Sequence, residues 1–291
     1  MVKAVLKTLI YYDIFGFPLK AWEIHKWLTS RQVSLQQVEK ILKKLGQGID
    51  VQHQGDYWFL SGRKALVKQR LEKERISKQH FQTARYVSMV FKIIPWVKMV
   101  GVSGSLSMMG SGKKDDIDLF IVTQDKRIWV SRLLLIFLTS LTGLRRRRRE
   151  KVLQANGKIC INLILEESNL AQKKRNIYLA HEVLQMRLLW QRDEVYSRFL
   201  HANDWAFKYL PNWRSGVMES QKSKVRSQKH SSKVKSSGVV YWLEEAARNF
   251  QLKVMGSPDK SERIENGALY FHPEDKGVKI LEEYRKRVSV L

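Results

Sequence analysis

The stretch Val100-Gly101-Val102-Ser103-Gly104-Ser105, separated by ten residues from Asp116-Ile117-Asp118-Leu119-Phe120-Ile121-Val122, decides how this chain is read. The first run is apolar up to a Ser-Gly-Ser turn, and the second sets two acids ahead of another apolar run. The pattern predicts two strands joined through a turn and a short helix. Residues two apart in a strand share a face, so Asp116 and Asp118 point the same way. Adjacent carboxylates repel one another unless a cation lies between them, and a hard divalent ion, Mg²⁺ or Mn²⁺, suits that donor pair. Two such ions about 3.5–4 Å apart would clamp the attacking and leaving oxygens of an in-line displacement. Gly104 allows the backbone close to a triphosphate, and Ser105 offers a hydroxyl and an amide at the start of a helix. Ser103, Lys113 and Lys114 are further candidate donors to the same phosphates.

An apolar strand, Gly-Ser, a short helix and then Asp-x-Asp on the next strand resembles the signature of the polymerase-β nucleotidyltransferase superfamily. The resemblance implies an α+β fold, a short mixed sheet flanked by helices, and transfer of NMP from an NTP, with ATP the expected donor. Transferases of that superfamily commonly carry a third acid on a neighbouring strand. Here that strand is Lys158-Ile159-Cys160-Ile161-Asn162-Leu163-Ile164-Leu165, whose central polar residue is Asn162. An amide ligates a metal weakly through its carbonyl and cannot accept a proton as a general base. Three outcomes follow: two carboxylates with substrate or solvent as base, recruitment of Glu166 or Glu167 from the strand end, or a nucleotide-binding protein with little turnover.

Other chemistries fail on spacing. A P-loop is excluded because Lys114 follows Gly112-Lys113 and Ser107 stands where the first glycine belongs, and a dinucleotide fingerprint fails at Asp115. The seven histidines show no metal-ligand spacing, so no zinc site is expected. His181 reads as a helix-surface residue, and Cys160, between Ile159 and Ile161, as a buried small hydrophobe. Asn203, Trp205 and Trp213 read as core.

The chain has 291 residues, 44% of them hydrophobic, with a formal net charge of +25 and one cysteine. A core of that size excludes a disordered polycation, and a lone cysteine excludes an intramolecular disulfide and favours a reducing, cytoplasmic setting. The longest apolar run, residues 128–144, includes Ser131, Arg132 and Thr139 and reads as a buried crossover helix rather than a membrane span, so no membrane partner is expected. Five arginines at 145–149 and a Ser/Lys-rich segment at 214–238, expected to be a disordered loop, concentrate positive charge. Such a surface attracts phosphate polyanions, which favours RNA as acceptor over a small molecule or a protein.

Residues 1–62 read as three helices and a two-stranded hairpin, similar to a winged helix-turn-helix domain, with Ser34 capping the third helix and Lys40, Lys43 and Lys44 off its apolar stripe. That domain would lay the third helix in a nucleic-acid groove or serve as a packing module. A linker helix is expected over 63–92 and the catalytic core over 93–170. Residues 171–291 read as a helical C-terminal region, with one long helix or helix pair over 177–210 and further helices over 239–255 and 277–287. The reading from another class is a regulator whose weakened core senses a nucleotide while the winged helix binds nucleic acid.

Overall fold

The computed structural model describes residues 1–146, 157–213, 238–256, 263–271 and 275–291. Arg147 to Arg149 and most of the 214–238 segment lie outside the described residues.

The protein is a mixed α/β structure. Helices α1 (Val2–Asp13), α2 (Ala21–Lys26) and α3 (Leu35–Leu45) pack beside a three-stranded antiparallel sheet of β1 (Leu19–Lys20), β3 (Tyr57–Leu60) and β2 (Val51–Gln54). Ser34 starts α3 as a capping box, its Oγ accepting from Gln37 N while Gln37 Oε1 accepts from Ser34 N. Val38 and Leu42 bury the inner stripe of α3, and Lys40, Lys43 and Lys44 are exposed.

Helix α4 (Ala65–Val90) leads into β4 (Val97–Val102), the four-residue helix α5 (Gly104–Ser107), β5 (Ile117–Thr123), α6 (Ile128–Leu141) and β6 (Ile159–Glu166). Then come α7 (Ile177–Gln185), β7 (Arg187–Gln191), α8 (Val195–Ala202), α9 (Ala206–Tyr209), α10 (Gly238–Met255), β8 (Arg263–Glu265), β9 (Ala268–Tyr270) and α11 (Asp275–Val288). The second sheet has the order β7-β4-β5-β6-β9-β8, with β5 and β6 parallel and every other pair antiparallel.

The region expected to be purely helical therefore supplies three strands. Where one long helix or a helix pair is expected over 177–210, the chain turns extended at Met186 (φ −53°, ψ 129°), and β7 pairs with β4. The sheet edge outweighs helical spacing here, because β4 would otherwise leave its backbone groups unpaired in a buried setting.

Alternation along β5 sorts the core into two layers. Ile117, Leu119 and Ile121 pack with Ala84 and Val87 of α4 and with Trp129 and Leu135 of α6. Phe120 and Val122 face the other way, into a cluster that runs from Val5, Leu9 and Leu42 of the N-terminal unit to Val183, Phe199 and Trp213. The N-terminal unit is also joined to the rest by polar clasps. Asn212 Nδ2 donates to His25 O (2.8 Å) and its Oδ1 accepts from Val33 N (3.0 Å). Arg70 of α4, only 3% exposed, bonds Glu23 and Glu74 and lies 3.6 Å over the Phe17 ring.

His181 is a correction to the sequence reading. It is 1% exposed, stacked on Tyr11 with ring centroids 4.1 Å apart, and its Nδ1 faces Tyr12 Oη and Gln185 Nε2. Its neighbours on α7, Ala180, Val183 and Leu184, are also buried, so this helix is covered on more than one stripe. Burial pushes the His181 pKa down to about 3.

None of the described helices is long and apolar enough to cross a membrane.

Candidate active site

The site forms where β4 ends and β5 begins. Ser103 N donates to Asp118 O (2.9 Å), which joins the turn after β4 to the first residues of β5. Gly104 follows with φ +61°, a conformation that L side chains rarely adopt. A Cβ at this position would fall 2.5 Å from Asp118 Oδ2, so glycine is required both by the turn and by the carboxylate pressed against it.

Asp116 lies one residue ahead of β5 and Asp118 is its second residue, and both are half-buried. Their carboxylates and the Cys160 sulfur lie within 4.8 Å of one another. Parallel pairing sets Cys160 opposite Asp118. The register then moves from Leu119↔Ile161 to Phe120↔Leu163, so Asn162 falls in a bulge and has no β5 partner, while its carbonyl accepts from Phe271 N (2.9 Å). The strand position level with Asp118 is thus Cys160, two residues before the asparagine on which sequence reasoning settled. Burial and the Asp118 and Asp116 carboxylates push the Cys160 thiol well up, so it stands in the cluster as a neutral group.

Two further features escaped the sequence reading. Arg146, the second of the five arginines, makes an ion pair with Asp116 and approaches the Cys160 sulfur. The phenol of Tyr178 on α7 is held well above its usual range by the Glu182 carboxylate, by burial and by the charge of Asp118, which puts that phenol within electrostatic reach of Asp118. Arg146 was marked only as part of the arginine run at 145–149 and not as a partner of Asp116, and no local pattern marks Tyr178, sixty residues beyond Asp118.

The remaining candidate residues divide. Ser103 Oγ is buried and has no hydrogen-bond partner among the described residues, which leaves a donor beside the acid pair. Ser105 is exposed, its Oγ 3.5 Å from Asp115 Oδ2, and the same Asp115 oxygen accepts from Gly112 N (2.8 Å) to close the loop ahead of β5. Ser77 of α4 holds that loop from behind, accepting from Ser111 N (3.0 Å). Lys113 and Lys114 project from its exposed tip. Glu166 Oε1 accepts from Lys126 N (2.9 Å), and Glu167 pairs with Arg198, so both acids have structural partners.

The donor set suits one hard divalent cation. Mg²⁺ is usually held by one or two carboxylates, with substrate phosphates and water completing its shell, and Asp116 and Asp118 supply those carboxylates beside an unpartnered serine hydroxyl.

No family model matches the chain, and no curated protein matches it. Among solved structures, a chain described as "Crystal structure of the toxin-antitoxin with AMP-PNP" is 15% identical over 47% of this chain and 96% of its own length, with a TM-score of 0.28. A likeness of that size does not establish a common fold.

Proposed function

We propose that the protein is a nucleotidyltransferase of the polymerase-β type, in which Asp116 and Asp118 hold Mg²⁺ or Mn²⁺ and an NTP, ATP by expectation, donates its NMP. The observation that carries this reading is the fit of Gly104 against Asp118, a glycine turn and a carboxylate that leave each other no room for a side chain. The bound cation would neutralise charge developing on the phosphates. The chain's own contribution is to hold the two carboxylates on one side, to present Ser103 Oγ and the Gly104–Ser105 backbone to phosphate oxygens, and to offer Lys113 and Lys114 to the outer phosphates. The acceptor oxygen bonds to the α-phosphorus, the bond to the bridging oxygen breaks, and pyrophosphate leaves while the acceptor proton passes to solvent.

The high positive charge favours RNA as the acceptor. On this reading residues 1–62 form a winged-helix-like domain with Lys40, Lys43 and Lys44 outward, joined through the 63–92 helix to a core at 93–170 and to the region 171–291. The protein would then act in the cytoplasm.

A specific observation favours the second reading, a nucleotide sensor with little turnover that binds nucleic acid through α3. A neutral thiol rather than a carboxylate stands across from Asp118, and Arg146 already engages Asp116.

One assay separates the two. Each α-labelled NTP is incubated with Mg²⁺ or Mn²⁺, total RNA and total protein. Label that enters one fraction and disappears in Asp118→Ala supports the transferase. Nucleotide binding without any transfer overturns it and leaves the sensor.

A further inference from the structure

A cleft of about 280 Å³ lies between α2 and the α7–β7 corner, with Ser107 and Met108 at its floor just beyond the Gly104–Ser105 turn. No member of the Asp116–Asp118–Cys160 cluster lines it. Its walls are aromatic. Trp22 is half-exposed (52%), whereas Trp27 and Trp213 are 7% and 5% exposed, and Tyr196 of α8 also lines the cleft. The buried indole N–H of Trp213 has no hydrogen-bond partner among the described residues.

Charge in the cleft is unbalanced. Lys26 and Arg187 line it, and among the described residues neither makes an ion pair. Their cationic heads instead lie over rings, Lys26 Nζ 4.8 Å from the Trp27 centroid and the Arg187 guanidinium 5.4 Å from that of Phe81. The one lining carboxylate, Glu23, is already engaged by Arg70 Nη2 (2.9 Å) and by Lys20 N (2.9 Å). Burial lowers the pKa of both cations and Arg187 lowers that of Lys26 further, and the nearby Glu23 carboxylate, already bonded by Arg70, offsets this only in part.

We propose that this cleft binds a phosphate monoester of an aromatic heterocycle, the chemistry of a nucleoside monophosphate, as a second site that needs no divalent cation. A phosphate monoester carries close to two negative charges near neutral pH, which matches two unpaired cations. Tryptophan and tyrosine rings offer stacking platforms that tolerate any base, because every base presents a π-face. The orphaned Trp213 N–H would gain an acceptor from the ring or ribose. The cleft volume is near the lower end of ligand pockets, about 300 Å³, which suits a mononucleotide better than a triphosphate.

The test is calorimetric titration of the full chain with AMP in EDTA, beside adenosine and inorganic phosphate. AMP is expected to bind more tightly than either fragment. Binding should weaken at least tenfold in Lys26→Gln and in Trp22→Ala, while Asp118→Asn leaves it unchanged. Trp22 is half-exposed, so its variant keeps the fold, and unaltered circular dichroism checks this. The proposal is overturned if AMP fails to bind at millimolar concentration, or if Asp118→Asn abolishes binding while Lys26→Gln does not. Neither result bears on transfer of label from an NTP at the Asp116–Asp118 pair, so failure here is distinct from failure of that reading.

Discussion

Cys160 stands directly across from Asp118 in the parallel pairing of β5 with β6, its sulfur within 4.8 Å of both acid side chains. If a divalent cation occupies that cluster, Cys160→Asp supplies a third hard donor at the position where the strands already meet. Calorimetric titration with Mn²⁺ should then show tighter binding than wild type, while Cys160→Ser changes little. Without metal the same variant should melt earlier, because a third carboxylate crowds two others, a cost of about 1–3 kcal/mol. Equal Mn²⁺ affinity in wild type and Cys160→Asp would show that no ion sits among these residues.

Gly104→Ala places a methyl group 2.5 Å from Asp118 Oδ2 and forces a non-glycine residue to φ +61°. The backbone term alone costs about 1 kcal/mol, and displacing the carboxylate adds to it. On the transferase reading, ATP with Mg²⁺ should raise the melting temperature of wild type and leave that of this variant unchanged. In Gly104→Ala/Asp118→Ala the steric part should vanish, so the two stability changes, measured by denaturant unfolding, should sum to more than the double-variant value.

His181 gives the fold a defined acid sensitivity. Its pKa is held at about 3 by burial, against roughly 6.5 in an unfolded chain. Between those values the unfolded state binds the extra proton, so stability is intact above about pH 6.5 and falls as the pH drops toward 3. Urea unfolding should show a loss of about 2–3 kcal/mol from this group between pH 7.5 and pH 4.5. His181→Phe should flatten that part of the profile, although it lowers stability at neutral pH by leaving Gln185 Nε2 with one acceptor fewer.

Arg70 sits at the junction of α4 with the N-terminal unit, bonded to Glu23 and Glu74 and stacked on Phe17. Arg70→Met leaves the buried Glu23 carboxylate without its cation, a loss on the order of 3–5 kcal/mol. Adding Glu23→Gln should restore a good part of it, as a shift of the urea midpoint back toward wild type. A double variant no more stable than Arg70→Met would mean that packing over Phe17, and not charge, dominates at this position.

The acid pair and its glycine were legible in the sequence because strand alternation and turn chemistry act over a few residues. The α3 cap at Ser34 and Gln37 was legible for the same reason. Cys160 was not, since its place opposite Asp118 depends on a register that a bulge at Asn162 alters. Arg146 and Tyr178 come near the pair only through the tertiary fold. Strand β7 was hidden because Arg187 to Gln191 is extended in response to the edge of β4, a partner nearly a hundred residues earlier. His181 was misread because a single amphipathic stripe predicts one covered face, whereas α7 has the N-terminal helix stacked on a second.

The hydrogen bond from Gln185 Nε2 to Tyr12 Oη spans 173 residues, and Asn212 clasps His25 and Val33 across a similar interval. During synthesis the first sixty residues emerge long before the surfaces that cover them. At roughly 5–20 residues per second, they wait on the order of ten seconds until Trp213 follows. Over that interval Tyr11, Tyr12 and Trp27 face the crowded interior of the cell, which makes the nascent amino-terminal fifth the natural client of a chaperone and a poor candidate for expression by itself.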